Sequence, residues 1–188
     1  MGRVIRIIDA FTYRLGRTVM WLAALMALVQ FLVVIMRYVF AVGSIPLQES
    51  IWYMHGILFM LGAGFALMVD GHVRVDIWYR EAAPRAKAWI DLLGTLVFLL
   101  PVTIAIVWLS WGYVLNSWRV LESSTEVSGL PIIFLLKTTI WVFAALVALQ
   151  GIALMLRALM TLTGQSDSYS AASPRRAARP TAGGPSAA

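Results

Sequence analysis

Long apolar runs alternate with short polar stretches along the chain. Four of these runs are long enough to cross a membrane as helices, and they fall at about residues 18–36, 50–69, 89–115 and 132–156. A helix rises roughly 1.5 Å per residue, so about 20 residues span a hydrocarbon core of about 30 Å. The pattern therefore predicts an all-α membrane protein with four transmembrane helices.

The segment before the first run is amphipathic. Between residues 3 and 17, Val4, Ile7, Ile8 and Phe11 recur near helical spacing, with arginines between them. This pattern is typical of a short helix lying in the membrane interface, and a plain extension of the first span accounts for it equally well. The apolar run that follows is too long for a signal peptide and is expected to be a retained helix.

The end of the chain has a different composition. From residue 163 onward it is rich in Ser, Ala, Gly and Pro. Such a segment cannot bury enough apolar surface to fold. We expect a membrane domain over residues 1–162 and a disordered cytoplasmic tail over residues 163–188.

Composition places the protein in lipid rather than in water. The 188 residues are 61% hydrophobic and 13% charged, whereas soluble domains are roughly 45–50% apolar and about 25% charged. The net charge of +6 belongs to residues that flank the spans, so we expect membrane lipids rather than nucleic acid as partners. Without cysteine, the chain can form neither a disulfide nor a Cys-ligated metal site. No soluble domain remains to carry an active site, and we expect neither an enzyme nor a cofactor.

The basic residues predict the orientation. Of the 15 Lys and Arg residues, all but Arg37, Arg119 and Lys137 precede the first span, join the second to the third, or follow the fourth. Basic residues concentrate on the cytoplasmic side of membrane proteins. Both termini are therefore expected in the cytoplasm.

Residues 68–80, MVDGHVRVDIWYR, place a histidine and four charged residues directly after a long apolar run. His72 and Asp76 are two candidate metal ligands with no third nearby, and Arg74 between them repels a cation. We interpret the cluster as an interfacial elbow held by Asp–Arg pairing, in which Gly71 permits the sharp turn out of the second helix.

Few polar side chains lie inside the spans. Gln30 and His55 fall at similar depth on adjacent helices, and a hydrogen bond between them is a packing contact of a kind common in membranes. A proton-carrying role for His55 is the alternative, although no carboxylate lies near the middle of a span to receive the proton. Haem is disfavoured because the other histidine, His72, lies at the opposite face. Gly62 begins a stretch of small residues on which another helix can approach closely.

The loop before the fourth span holds opposite charges. Lys137 lies at the outer end of that span, and Glu122 and Glu126 precede it in the loop. A pair between Lys137 and one of these glutamates would lock the loop over the helix, with Arg119 competing for the same carboxylates. Pro131 is expected in the first turn of the fourth helix.

Several stretches together resemble one protein family. They include RYVFAVGSIPLQES, HGILFMLGAGFALMVDGHVRVDIWYR, SWRVLESSTEVSGLPIIFLLK and LVALQGIALMLRAL. These resemble the small membrane subunit of tripartite ATP-independent periplasmic (TRAP) transporters, above all its mannitol/chloroaromatic compound branch, from about residue 5 to residue 160. The residues that carry the resemblance are Gln48, Glu49, Gly71, His72, Arg74, Asp76, Trp118, Glu122, Pro131, Lys137 and Gln150. Trp141 departs from the pattern, since the family often carries a proline in this stretch.

The resemblance implies a role in transport. In such systems a periplasmic binding protein delivers an organic anion to a large permease subunit, which moves it together with Na⁺ across the bacterial inner membrane. The small subunit braces the large one, and the residues named above would serve its structure or the subunit interface.

Two other functions are weighed against this one. A stand-alone small transporter needs a carboxylate deep in a helix, and no Asp or Glu lies near the middle of any of the four spans. A membrane electron carrier needs paired histidines for haem, and the chain has two histidines at opposite faces.

Overall fold

The computed structural model describes residues 1–71 and 82–164. These residues form four helices that are long and apolar enough to cross a membrane: α1 (Gly2–Tyr38), α2 (Ile45–Met68), α3 (Pro84–Arg119) and α4 (Ile133–Leu162). The part of the chain that is described contains no strand. The predicted all-α fold with four spans is confirmed.

The amphipathic N-terminal segment is continuous with the first span. Helix α1 runs without a break from Gly2 to Tyr38, so the segment extends the first span. Its packed face carries Ile5 and Ile8, whereas Ile7 and Phe11 are exposed. The apolar positions alone did not distinguish these two faces, because both carry large apolar residues at helical spacing.

Helix α4 lies at the centre of the fold. In its most apolar 18-residue window 28% of residues are buried, against 6–11% in the other three helices. Helices α1, α2 and α4 pack against one another, and α3 packs mainly on α4. The outer surfaces of α1, α2 and α3 therefore remain open to lipid or to another protein.

Glycines permit close approach between the helices. A Cβ placed on Gly64 of α2 would lie 3.2 Å from Leu146 Cβ of α4, and one on Gly16 of α1 would lie 2.7 Å from Phe65 Cβ. A Cβ on Gly62 would meet nothing within 4 Å. The small-residue stretch of α2 is thus divided, with Gly64 turned to α4 and Gly62 facing outward.

Helix α3 contains a π-helical segment that the hydropathy pattern did not predict. Its backbone is α-helical over Pro84–Gly94, π-helical over Thr95–Leu99 and α-helical again over Leu100–Arg119. Pro101 has no N–H to donate within the helix, and the Leu100 N–H donates to the Thr95 carbonyl five residues back. Gly151 of α4 lies against this segment, since a Cβ there would be 2.5 Å from Leu99 Cδ2.

The end of α2 corrects the predicted turn. The sharp turn predicted at Gly71 begins one residue earlier, because Asp70, with φ 60°, takes the left-handed conformation, which aspartate tolerates better than most residues do. The Gly71 N–H donates to the Ala66 carbonyl at 2.8 Å, which closes the helix as in a Schellman motif. Residues 72–81 and 165–188 lie outside the described residues, and with them the predictions for His72, Arg74, Asp76 and most of the tail.

Replacing Gly16 by alanine should loosen the packing of α1 on α2. The added Cβ would lie 2.5 Å from Phe65 Cγ, and overpacking of this kind costs roughly 1–3 kcal/mol. Thermal unfolding in one detergent should show a lower Tm for Gly16→Ala, whereas Gly62→Ala should leave the Tm unchanged or slightly raised. Equal Tm values for the two variants would contradict this packing.

Candidate functional site

Polar contacts join α1 to α4 at one end of the bundle, which we call the terminal end because it holds the first turns of α1 and the last turns of α4. The Arg157 guanidinium donates to both carboxylate oxygens of Asp9. Deeper in the bundle, one turn along α1 and two turns along α4, Gln150 Nε2 donates to Thr12 Oγ1 at 2.8 Å. Gln150 is buried. These contacts fix α1 against the central helix.

The contribution of Asp9 was missed in the sequence. It is the first carboxylate in the chain, and none follows before Glu49. It lies one position after buried Ile8 and three before buried Thr12, and so shares their face of α1. A lone acid on the packed stripe of an otherwise basic segment was the available signal, but its partner Arg157 is 148 residues away.

At the opposite end, which we call the loop end, Glu49 holds the loop between α3 and α4. Its Oε2 accepts the Leu130 backbone N–H at 2.6 Å, and its Oε1 accepts the Ser124 hydroxyl. Gly129 packs beside them, where a Cβ would lie 2.7 Å from Glu49 Oε1. The first turns of α2 thereby anchor a loop some 80 residues later in the chain.

Lys137 anchors the same loop from α4. Its Nζ donates to Glu122 Oε2 at 2.5 Å and lies 3.9 Å from the ring centroid of Tyr113. The predicted pair with a loop glutamate is formed with Glu122 rather than with Glu126. Pro131 lies before the N-cap residue Ile132, so its predicted place in the first turn of α4 is wrong. We call the contacts of Glu49 and of Lys137 with this loop the loop latch.

Tryptophans join α3 to α4 next to the loop latch, on its side toward the terminal end. Trp118 Nε1 donates to Thr138 Oγ1 at 2.8 Å, and its ring packs edge-on against Phe134. Trp141, which lies in the stretch where the resembling family often carries a proline, donates from Nε1 to Ser110 Oγ at 3.1 Å. Its ring stacks on Trp111. Helix α4 runs uninterrupted through this position.

A cleft of about 410 Å³ opens beside the latch, between the start of α2 and the loop. Gln48, Glu49, Trp52 and Glu126 line it, together with Ile45 and Thr125. Its lining carries two carboxylates and no basic side chain. Its lining is more polar than that of the apolar groove between α3 and α4.

His55 does not pair with Gln30. Both side chains are exposed on the outer surface of this chain, and no hydrogen bond joins them. The imidazole instead stacks on Phe59, with ring centroids 6.4 Å apart. Among the described residues, no hydrogen bond satisfies the His55 imidazole.

The arrangement at both ends is structural chemistry. Carboxylates accept hydrogen bonds and ion pairs that fix helices and a loop, and among the residues described no three His, Asp or Glu side chains converge as metal ligands would. The geometry supports a rigid membrane component.

Comparison with known families decides what kind of component it is. Residues 25–162 match the family model described as the DctQ component of tripartite ATP-independent periplasmic transporters. The chain belongs to this family. It is a small membrane subunit of a TRAP transporter, a multi-pass component of a system that also contains a large permease subunit and a binding protein. No curated protein and no solved structure matches the chain significantly.

In this small subunit, Glu49→Gln should free the loop. One carboxylate oxygen becomes an NH₂ group, so the side chain can no longer accept both the Ser124 hydroxyl and the Leu130 N–H. We expect faster hydrogen exchange at the Leu130 amide, measured by mass spectrometry in detergent. Glu126→Gln, which changes a nearby carboxylate in the same loop, should leave that amide protected. Unchanged exchange in Glu49→Gln would show that the latch does not depend on this carboxylate.

The pair of Glu122 with Lys137 should depend on pH in one direction. The Lys137 ammonium holds the pKa of the Glu122 carboxyl below its ordinary value of 4.5. A depressed carboxyl pKa stabilises the folded loop above the unfolded value, and this stabilisation is lost as pH falls through the lowered value. Loop amides in the wild type should be better protected than in Glu122→Gln at pH 6, and the difference should disappear well below pH 4.5. A difference that is absent at pH 6, or that persists in strong acid, would contradict the pairing.

Proposed function

We propose that this small subunit braces the large permease subunit during Na⁺-coupled, binding-protein-dependent uptake of an organic anion such as a carboxylate. The family match over residues 25–162 carries the proposal. Uptake against a gradient requires the large subunit to move substrate while some other part of the complex stays fixed. A second membrane subunit with rigid internal packing suits the fixed part.

The contacts within the chain support such a static role. The Asp9–Arg157 pair closes the terminal end, and the loop latch closes the loop end. Helix α4 joins both ends and packs on every other helix. A small subunit whose helices are joined at both ends and through α4 resists bending when the large subunit moves.

The proposed orientation follows from charge. The terminal end carries Arg3, Arg6 and Arg14 in the first turns of α1 and Arg157 in the last turns of α4, and we place it in the cytoplasm. The loop end, with Glu49, Glu122 and Glu126, then faces the periplasm, where the binding protein docks.

A fluorescent protein fused after Leu162 should be fluorescent and alkaline phosphatase fused there inactive, and the reverse result would contradict this orientation.

The residues that carry the family resemblance are proposed to serve assembly. Within this group, Glu49, Trp118, Glu122, Lys137 and Gln150 hold the chain together. His72, Arg74 and Asp76 are proposed to form the elbow between α2 and α3, and membership of the mannitol/chloroaromatic branch is proposed on the resemblance alone. Replacing His72 and Asp76 by asparagine should reduce recovery of the complex, and normal recovery with lost transport would contradict a structural elbow.

Reconstitution tests the function. The ligand is first identified by thermal shift of the system's binding protein against a panel of organic acids, and its radiolabelled form is then used for uptake into proteoliposomes. Uptake should require the large subunit, the binding protein, an inward Na⁺ gradient and this small subunit together.

The controls separate the alternatives. Liposomes that lack only the small subunit should lose uptake, and liposomes that contain only the small subunit should show none. Full uptake without the small subunit would contradict the bracing role. Uptake by the small subunit alone would identify it as a transporter in its own right.

A further inference from the structure

One face of α2 carries a continuous stripe that the described residues, 1–71 and 82–164, leave uncovered. Gln48, Trp52, His55 and Phe59 are all exposed, and Gly62 follows them with open space where a Cβ would be. Their spacing of three or four residues puts them on a single helix face. Gly64, on the opposite face, is the residue that packs against α4. We call these five residues the α2 stripe.

The histidine makes this stripe different from an ordinary lipid-facing surface. His55 lies ten residues into the 24-residue helix, roughly 15 Å along its axis, so apolar turns surround it on both sides. An imidazole exposed to hydrocarbon leaves its ring nitrogens without hydrogen-bond partners, which is unfavourable. A neighbouring protein helix with a polar side chain at this depth satisfies them.

The rest of the stripe suits the same occupant. Gly62 lets a second helix approach closely, as small residues do in membrane helix pairs. Trp52 and Phe59 on either side of His55 supply broad aromatic surface of the kind that dominates protein interfaces. At the loop end the stripe runs into the cleft, because Gln48 and Trp52 line both, and there Glu126 and Glu49 make the surface acidic.

We propose that the α2 stripe is the docking surface for one transmembrane helix of the large permease subunit. That helix carries a hydrogen-bonding side chain opposite His55 and a basic side chain at the cleft. The proposal rests on the proposed function, since it takes the large subunit as partner. It goes beyond that function by assigning the face of this chain and the chemistry of the helix that covers it.

The principal competing surface is the groove between α3 and α4. It is about 440 Å³ and is lined by Trp108, Trp111, Val107 and Ala148 among other apolar residues. Its lining is almost wholly apolar, so lipid acyl chains satisfy it without a protein partner. Charge and hydrogen bonding therefore favour the α2 stripe.

Matched glycine variants test the assignment. Gly62→Leu places bulk on the stripe, and Gly112→Leu places the same bulk on α3, where a Cβ also meets nothing within 4 Å. The small subunit, tagged and co-expressed with the large subunit of its own transporter, is purified in mild detergent. Gly62→Leu should recover roughly tenfold less large subunit or worse, and Gly112→Leu should recover the wild-type amount. Equal recovery by the two variants would overturn the proposal.

A second pair of variants keeps the test independent of folding. His55→Gln retains hydrogen bonding and should recover the large subunit, whereas His55→Leu should recover less, although its own Tm is unchanged. A photoreactive benzoyl-phenylalanine in place of Phe59 should cross-link to the large subunit, and one in place of the equally outward-facing Leu109 of α3 should not. Cross-links from position 109 alone, or from position 59 to a second copy of this chain or to the binding protein, would overturn the proposal. Failure of the wild-type subunits to co-purify would instead count against the proposed function.

Discussion

Helices in a membrane gain little from hiding apolar surface, because the lipid around them is equally apolar. Their association depends on close packing and on polar contacts between them. In this chain α4 meets both requirements. Its Leu146 packs against Gly64 of α2, and its Gly151 packs against α3. Its polar contacts are made by Lys137 near its start and by Gln150 and Arg157 in its second half.

This division of labour explains why the outer surface is so apolar and yet uneven. The small and polar residues of the other helices mostly contact α4. Most of the side chains on the outer surface are therefore large and apolar, as lipid-facing side chains usually are. Trp52 and Trp108 are exposed to nearly the same extent, 75% and 78%, but they differ in their surroundings. Trp52 adjoins His55 and an acidic cleft, whereas Trp108 lines an apolar groove. The uneven surface is what distinguishes a partner-binding face from a lipid-binding one.

The sequence predicted those features that depend on local patterns. Four spans follow from run length, and the pair of Lys137 with a loop glutamate follows from opposite charges only 15 residues apart. The resemblance identified the family that the match over residues 25–162 then showed. Hydropathy also marked His55 as a residue needing a partner.

The features that failed depend on contacts distant in sequence. Asp9 and Arg157 are brought together by the packing of α1 on α4, which no local pattern contains. Val4, Ile7 and Phe11 formed as good an apolar stripe as Ile5 and Ile8, and only the positions of α2 and α4 decide between them. The same packing separates His55 from Gln30 and turns the histidine outward.

The most direct measurement is a cryo-electron microscopy structure of the small subunit with its large permease subunit in lipid. We expect a helix of the large subunit to cover Trp52, His55 and Phe59, with a polar side chain within hydrogen-bonding distance of the imidazole. Lipid over these residues, with the large subunit seated on α3 instead, would contradict the account.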